Sequence, residues 1–191
     1  MTFAARRATL EFQHTLRFGL AVIEMRTAHA AIGSAAFFAV APVVVTGLVP
    51  WLITDWRMSD PPPWLALRIV GAVLIVAGGA AVVHAFVKFV VDGLGTPAPI
   101  APPTRLVVRG PYRFVRNPMY VAVLAAIIGQ ASLLGSPALL VYAVIVLVPV
   151  VAFVRVYEEP TLRRTFGEEY ERYRRAVPGW WPRLRPWTDR D

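Results

Sequence analysis

The sequence predicts an all-α integral membrane protein of about four transmembrane helices, with a fifth left open near the start of the chain. The first observation is composition: 57% of the 191 residues are hydrophobic and 17% are charged, against about 45–50% and about 25% in ordinary globular chains. The second is a mean hydropathy of +0.54. The third is that charge is absent from long stretches and concentrated between them. A soluble enzyme, a disordered chain and a secreted disulfide scaffold are therefore all disfavoured.

Each charge-free stretch is long enough to cross a bilayer, which takes about 20 apolar residues. The longest one is interrupted by Gly135-Ser136-Pro137, and glycine followed by proline is typical of a tight turn. We therefore interpret this stretch as two spans joined as a helical hairpin. The predicted spans are 31–54, 65–91, 119–134 and 138–157.

The charges between the spans predict their orientation. Residues 1–30, the connector 92–118 and the segment 158–191 are rich in arginine, whereas the connector 55–64 is slightly acidic. Basic loops stay on the cytoplasmic side, so we expect both termini there, with 1–30 as an amphipathic cytosolic segment and 31–191 as the membrane domain. The net charge of +8 thus indicates topology rather than nucleic-acid binding.

The C-terminal segment contains one amphipathic helix followed by a cluster of tryptophans. Its apolar residues recur at helical spacing, which favours an interfacial helix with an aromatic anchor on the membrane. The alternative is a lid that covers a cofactor site. The residues are Phe166, Tyr170, Tyr173 and Val177 on the helix, then Trp180, Trp181 and Trp187.

Polar residues near the ends of spans are the candidates for function, because charge in a bilayer is costly. His84, Lys88 and Asp92 share one helix face. Two interpretations of them are open: a snorkelling lysine paired with the aspartate, or a proton-transfer role for His84. No second ligand lies at metal-binding spacing from His84, and the chain has no cysteine, so we expect no metal site.

Three further groups of residues lie on the predicted cytoplasmic side of the membrane. Gly93 and Gly95 allow a close backbone approach to a ligand, although a plain turn explains them equally well. The run from Arg116 to Pro118 suits a helix start, with Asn117 as the cap. Glu158-Glu159 ends the hairpin, where paired carboxylates oppose the helix dipole. They require a cation, from Arg116, Arg155 or a ligand.

These residues resemble the isoprenylcysteine carboxyl methyltransferase family, whose superfamily includes phospholipid N-methyltransferases. The resemblance covers roughly residues 65–185. Its motifs are Gly93-Leu94-Gly95-Thr96-Pro97, the block 106–120 with Gly110-Pro111-Tyr112 and Arg116-Asn117-Pro118-Met119-Tyr120, and Glu158-Glu159 followed by Phe166-Gly167-Glu168-Glu169-Tyr170.

The resemblance implies an integral membrane methyltransferase that binds S-adenosylmethionine on the cytosolic side and acts on a hydrophobic or lipid-like acceptor. It implies Arg116, Tyr120 and Glu159 as catalytic residues. The cofactor-binding residues that it implies are Gly93, Gly95, Thr96, Gly110, Tyr112, Asn117, Pro118, Glu158 and Glu159. One departure stands out: prenylcysteine enzymes typically have histidine where this chain has Asn117, and asparagine cannot titrate.

The sequence is compatible with two classes of methyl acceptor, a carboxylate and an amine. Arg116 suits bidentate orientation of a carboxylate acceptor, whereas an amine acceptor must lose a proton, for which Glu159 and His84 are candidates. Two other functions are alternatives: an NADPH-dependent membrane reductase of the sterol-reductase type, and a four-span transporter. The small multidrug exporters carry an essential carboxylate in the first span. No carboxylate lies between Arg26 and Asp55 in this chain, which counts against the transporter alternative.

Overall fold

The computed structural model describes residues 40–59, 64–91, 106 and 108–188, and only the backbone of 85–91. Every regular element in these residues is helical, and none is a strand. A 3-10 turn at Gly110–Arg113 precedes the third helix, and π-helical turns lie at Val44–Leu48 and Val154–Glu158. The α-helices are α1 (Val40–Thr54, including the first π turn), α2 (Leu65–Val91), α3 (Pro118–Leu134), α4 (Pro137–Phe153) and α5 (Glu159–Ala176). Helix α5 is kinked at Gly167, whose φ is 51°.

Glycines bring α2 and α3 into direct backbone contact. A Cβ atom on Gly71 would lie 2.6 Å from the Gly129 carbonyl oxygen, and one on Gly78 would lie 2.7 Å from that of Ala122. In a bilayer, where lipid is as apolar as leucine, such small-residue contacts provide the packing between helices. The long helix α2 therefore lies tightly along α3.

The predicted hairpin between α3 and α4 is confirmed. Gly135 ends α3 in the left-handed conformation at φ 69°, and Pro137 is the first residue of α4. Ala131, Leu134 and Leu139 form a buried cluster beneath the turn. The turn also receives the connector that follows α1, because the backbone N–H of Ser59 donates to the Leu134 carbonyl at 2.8 Å.

Helix α1 docks on α3 and α4 through backbone carbonyls that a proline leaves without a donor. Pro50 has no N–H, so it cannot bond to Val45 or Thr46 in the preceding turn. The Tyr142 hydroxyl donates to the Val45 carbonyl at 3.1 Å, and Gln130 Nε2 donates to that of Thr46 at 2.8 Å. Because unpaired backbone groups are costly in lipid, these two bonds stabilise both the π turn and the docking.

Two helical stretches are long and apolar enough to cross a membrane, Leu65–His84 and Pro137–Ala176. Val40–Thr54 and Pro118–Leu134 are apolar but shorter. The 17 residues of α3 rise about 26 Å, against about 30 Å of hydrocarbon. The structure thus supports two spans by length, and the count of four stays a prediction. Residues 31–39 of the predicted first span, and the segment 1–30, lie outside the described residues.

The apolar face of α5 packs on the protein itself, which differs from the membrane docking that we expected of it. Tyr170, Tyr173 and Val177 are buried. Partly buried residues on the connector before α3 and on the C-terminal segment pack against this cluster, including Val108 and Trp187. That expectation for the helix face is therefore wrong, because the connector and the C-terminal segment already cover it.

The packing of α2 on α3 yields a prediction that adjacent glycines test. Gly78→Ala should destabilise the protein by about 1–3 kcal/mol, because the added methyl group meets the Ala122 carbonyl and overpacking of this kind has that cost. Gly79→Ala is the matched control, since none of the residues that the structure describes comes within 4 Å of its Cβ position. Thermal unfolding in detergent measures both. Equal stability of the two variants would contradict the close packing.

Candidate active site at the start of α3

Arg116 connects three parts of the chain at the start of α3. Its Nη1 donates to Glu159 Oε1 at 2.6 Å and to the Tyr170 hydroxyl at 3.1 Å, and both acceptors belong to α5. Its Nε donates to the Val177 carbonyl at 3.0 Å, and its backbone N–H donates to that of Pro178 at 2.9 Å. A single guanidinium therefore joins the beginning of α3 to α5 and to the segment after it.

Glu159 is neutralised within the protein. Its ion pair with Arg116 is partly buried, with side-chain exposures of 17% and 15%. Arg174 Nε lies 3.6 Å from the other carboxylate oxygen. The cation that we expected for the paired glutamates is thus Arg116 for this member of the pair, with Arg174 as a second one, which leaves Glu159 little capacity to bind a cationic ligand.

Glu158 has different surroundings although it is the adjacent residue. The Tyr120 hydroxyl donates to its Oε2 at 3.3 Å, and no ion pair to Glu158 occurs among the residues that the structure describes. Burial, and secondarily the nearby carboxylate of Glu158, raise the pKa of Tyr112 to about 12. Tyr112 therefore keeps its proton at physiological pH and remains a hydrogen-bond donor.

Helical geometry separates the two glutamates, which lie where a π turn meets α5. The backbone N–H of Glu159 bonds to the Val154 carbonyl, five residues earlier, and Pro160 supplies no N–H to the carbonyls behind it. Consecutive residues on a helix point about 100° apart. Glu158 is accordingly directed toward Tyr120 of α3, and Glu159 toward Arg116. Such π turns are frequent at functional sites.

Asn117 occupies the predicted cap position of α3 but does not cap the helix with its side chain. Its Nδ2 donates instead to the Gly179 carbonyl at 3.1 Å, and its backbone N–H donates to the same oxygen at 3.2 Å. Pro118 begins the helix as predicted. The expected capping bond is therefore wrong, because the C-terminal segment offers a carbonyl that needs a donor.

The C-terminal segment runs along the residues that precede α3. The N–H of Arg183 donates to the Phe114 carbonyl, the N–H of Trp187 donates to that of Arg113, and the Tyr173 hydroxyl donates to that of Tyr112. The ring centroids of Trp180 and Tyr120 are 6.4 Å apart.

Tyr170, Tyr173 and the carbonyls of Val177–Gly179 contribute to the site without having been predicted as site residues. Only the helical spacing of the two tyrosines indicated that they would be buried, and no side-chain pattern marks a backbone acceptor.

The remaining predicted site residues lie elsewhere or outside the description. Gly110 has a φ of 57°, and its Cβ position is 3.7 Å from His84 Nε2, so the end of α2 approaches the 3-10 turn. Gly93, Gly95 and Thr96 fall outside the described residues. Within the described part of the chain no three His, Cys, Asp or Glu residues are grouped as metal ligands would be.

The ion pairs of Glu159 and of Glu171, both in α5, differ in burial, and this yields a prediction. Glu159→Gln should lower stability by about 1–3 kcal/mol, because it leaves the Arg116 guanidinium partly buried without its counter-charge. Glu171→Gln makes the same chemical change at a more exposed carboxylate, which pairs with Arg163 and Arg174, and it should cost less than about 1 kcal/mol. Denaturant or thermal unfolding in detergent compares them, and a larger loss at Glu171 would refute the assignment.

The site thus combines Glu159, which is in an ion pair, with Glu158, which has no ion pair among the described residues, and with two tyrosines, all at the ends of two apolar helices. Residues 66–169, more than half of the chain, match the family model described as phospholipid methyltransferase. Comparison with curated proteins and with solved structures gives no match. The match covers α2, the connector, the α3–α4 hairpin and the paired glutamates, and the chain belongs to the phospholipid methyltransferase family.

Proposed function

We propose that the protein transfers a methyl group from S-adenosylmethionine to the amine nitrogen of a lipid-like acceptor, at the cytoplasmic surface of the membrane. The family membership supports methyl transfer. The observation that carries the choice of an amine is the distribution of charge at the site. Arg116 is paired with Glu159 and bonded to Tyr170 and to the Val177 carbonyl, whereas Glu158 has only a neutral partner among the described residues.

A carboxylate acceptor would need a free cation, and Arg116 cannot supply one in its present bonds. Bidentate binding of a carboxylate requires two adjacent N–H donors of the guanidinium. Nε is bonded to the Val177 carbonyl and Nη1 to Glu159 and Tyr170. Nη2 is 3.1 Å from the Cβ position of Gly179. No adjacent pair of donors is therefore free, and Arg116 acts as a positioning residue rather than a catalytic one.

An open carboxylate beside two phenol groups fits a positively charged ligand. When bound, S-adenosylmethionine supplies an electrophilic methyl group on a cationic sulfonium centre. Carboxylates favour such a charge electrostatically, and the faces of tyrosine rings attract cations. Tyr112 and Tyr120 lie near Glu158, so these three residues are the ones that we assign to holding the cofactor and the acceptor.

An amine that gains a methyl group must also lose a proton, and Glu158 is the residue placed to take it. General-base catalysis requires a group within hydrogen-bond reach and not already neutralised by a counter-ion. Glu159 is in an ion pair with Arg116, so we assign the proton to a Glu158 oxygen. The proximity and orientation of the two reactants supply the rest of the rate enhancement; in well-oriented systems this is about 7–11 kcal/mol.

Cofactor binding is the first test. Titration calorimetry with S-adenosylmethionine and with S-adenosylhomocysteine should show saturable binding. Tyr120→Ala should weaken it, because the ring packs on Trp180 and its hydroxyl bonds to Glu158. Arg57→Ala, at an exposed residue after α1, is the control and should bind normally. No heat of binding at millimolar ligand would refute the methyltransferase proposal for this chain.

Catalysis gives the second test. Glu158→Gln should lower kcat/KM by about 100-fold or more, as expected when a general base is removed. Glu168→Gln, at an exposed carboxylate of α5, is the matched control and should retain activity. The assay uses labelled cofactor with an aminophospholipid or with a long-chain carboxylic acid as acceptor. Methylation of the acid alone would contradict the assignment of an amine.

A further inference from the structure

Two large apolar side chains project into the open from the segment after α5. Trp181 is 81% exposed and Leu184 is 99% exposed, although neighbouring residues of the same segment are held by the protein. Gly179 bonds to Asn117, and Trp187 packs on Tyr173 with ring centroids 5.6 Å apart. We refer to Trp181 and Leu184 as the tail edge. Because the backbone around it is fixed at both ends, the tail edge is held in place.

The contacts of the same segment define the depth of the tail edge along the helix bundle. Trp180 packs on Tyr120, in the first turn of α3, and Gly179 bonds to the residue that precedes this helix. The tail edge is therefore level with the point where an apolar helix begins. In the predicted four-span topology, this is the depth at which α3 enters the headgroup region, where tryptophan is enriched.

Positive charge is concentrated in the stretch of sequence that contains the tail edge. From Arg172 to Thr188 the chain contains five arginines and no acidic residue. Arg172, Arg175 and Arg185 are exposed, and none of these three forms an ion pair among the described residues. Basic residues beside apolar side chains at an interface are attracted to anionic lipid headgroups.

We propose that the tail edge docks on an anionic phospholipid surface, with Trp181 and Leu184 in the headgroup region and the flanking arginines on lipid phosphates. The occupant is the bilayer in which the helices lie, rather than another protein. Docking also stabilises the site, because the docked segment is the one whose carbonyls hold Arg116 and Asn117. Membranes rich in anionic lipid should therefore favour the ordered site.

A single fluorescent label tests the docking directly, because the chain has no native cysteine. Leu184→Cys, labelled with an environment-sensitive fluorophore in the full-length protein, is compared in nanodiscs of phosphatidylcholine with and without phosphatidylglycerol. Labelled Glu168→Cys, on the exposed side of α5, is the control. We expect a blue shift and quenching by brominated lipid at 184 with phosphatidylglycerol, and neither at 168. Arg172→Gln with Arg185→Gln should reduce the shift at 184.

Three results would overturn the proposal. A label at 184 that stays in water in both lipids excludes docking, and an equal shift in both lipids excludes selectivity for anionic headgroups. A shielded label in detergent together with a dimeric mass identifies a second copy of the chain as the occupant.

Trypsin tests the link between docking and the site. In the unmodified protein, trypsin should cleave the arginine-rich segment several-fold more slowly in nanodiscs with phosphatidylglycerol than in nanodiscs without it. The double variant Trp181→Ala with Leu184→Ala should show a smaller decrease in the cleavage rate. An equal decrease for both proteins would exclude the link. None of these measurements depends on methyl transfer, so they separate this proposal from the proposed activity.

Discussion

The bonds of one guanidinium hold the candidate site together. Arg116 donates to a carboxylate and a phenol of α5 and to the Val177 carbonyl, and its backbone N–H reaches Pro178. Arginine suits this position because its planar donors bond in several directions at once while its charge persists. Without it the buried charge of Glu159 would lack its closest partner, and three separate chain segments would lose their common contact. This junction holds the start of α3 against α5 and the C-terminal segment, the three elements that contribute the residues of the site.

The π turn within α1 and the π turn that precedes α5 share one sequence feature. In each case a π turn ends two residues before a proline, at Leu48 and Pro50 and again at Glu158 and Pro160. The proline removes a donor, so carbonyls of the preceding turn become available. In α1 side chains of the neighbouring hairpin take them up. In the second case the altered winding changes which way consecutive side chains point, and this is where the paired glutamates lie.

The sequence predicted the elements that depend on local chemistry. The turn at Gly135 and Pro137, the helix start at Pro118 and the extent of α2 are matched by the structure, because each depends on glycine, proline or unbroken hydropathy. Predictions that depended on a distant partner fared less well. Asn117 bonds to Gly179 across 62 residues rather than to its own helix, and the apolar face of α5 is covered by segments whose contact with it no periodicity could reveal.

A dependence on distant partners also explains why the Glu158-Glu159 motif does not reveal that its two carboxylates have different surroundings. As a pattern, Glu158-Glu159 is two equal carboxylates, and repulsion between them is the expected consequence. The structure instead gives them unlike partners: a cation for one and a phenol for the other. Neutralising Glu159 lowers the cost of keeping Glu158 charged nearby, because like charges disfavour each other's ionisation. Arg116 thus favours the charged form of Glu158 in two ways, by neutralising Glu159 and through its own nearby positive charge, without bonding to Glu158.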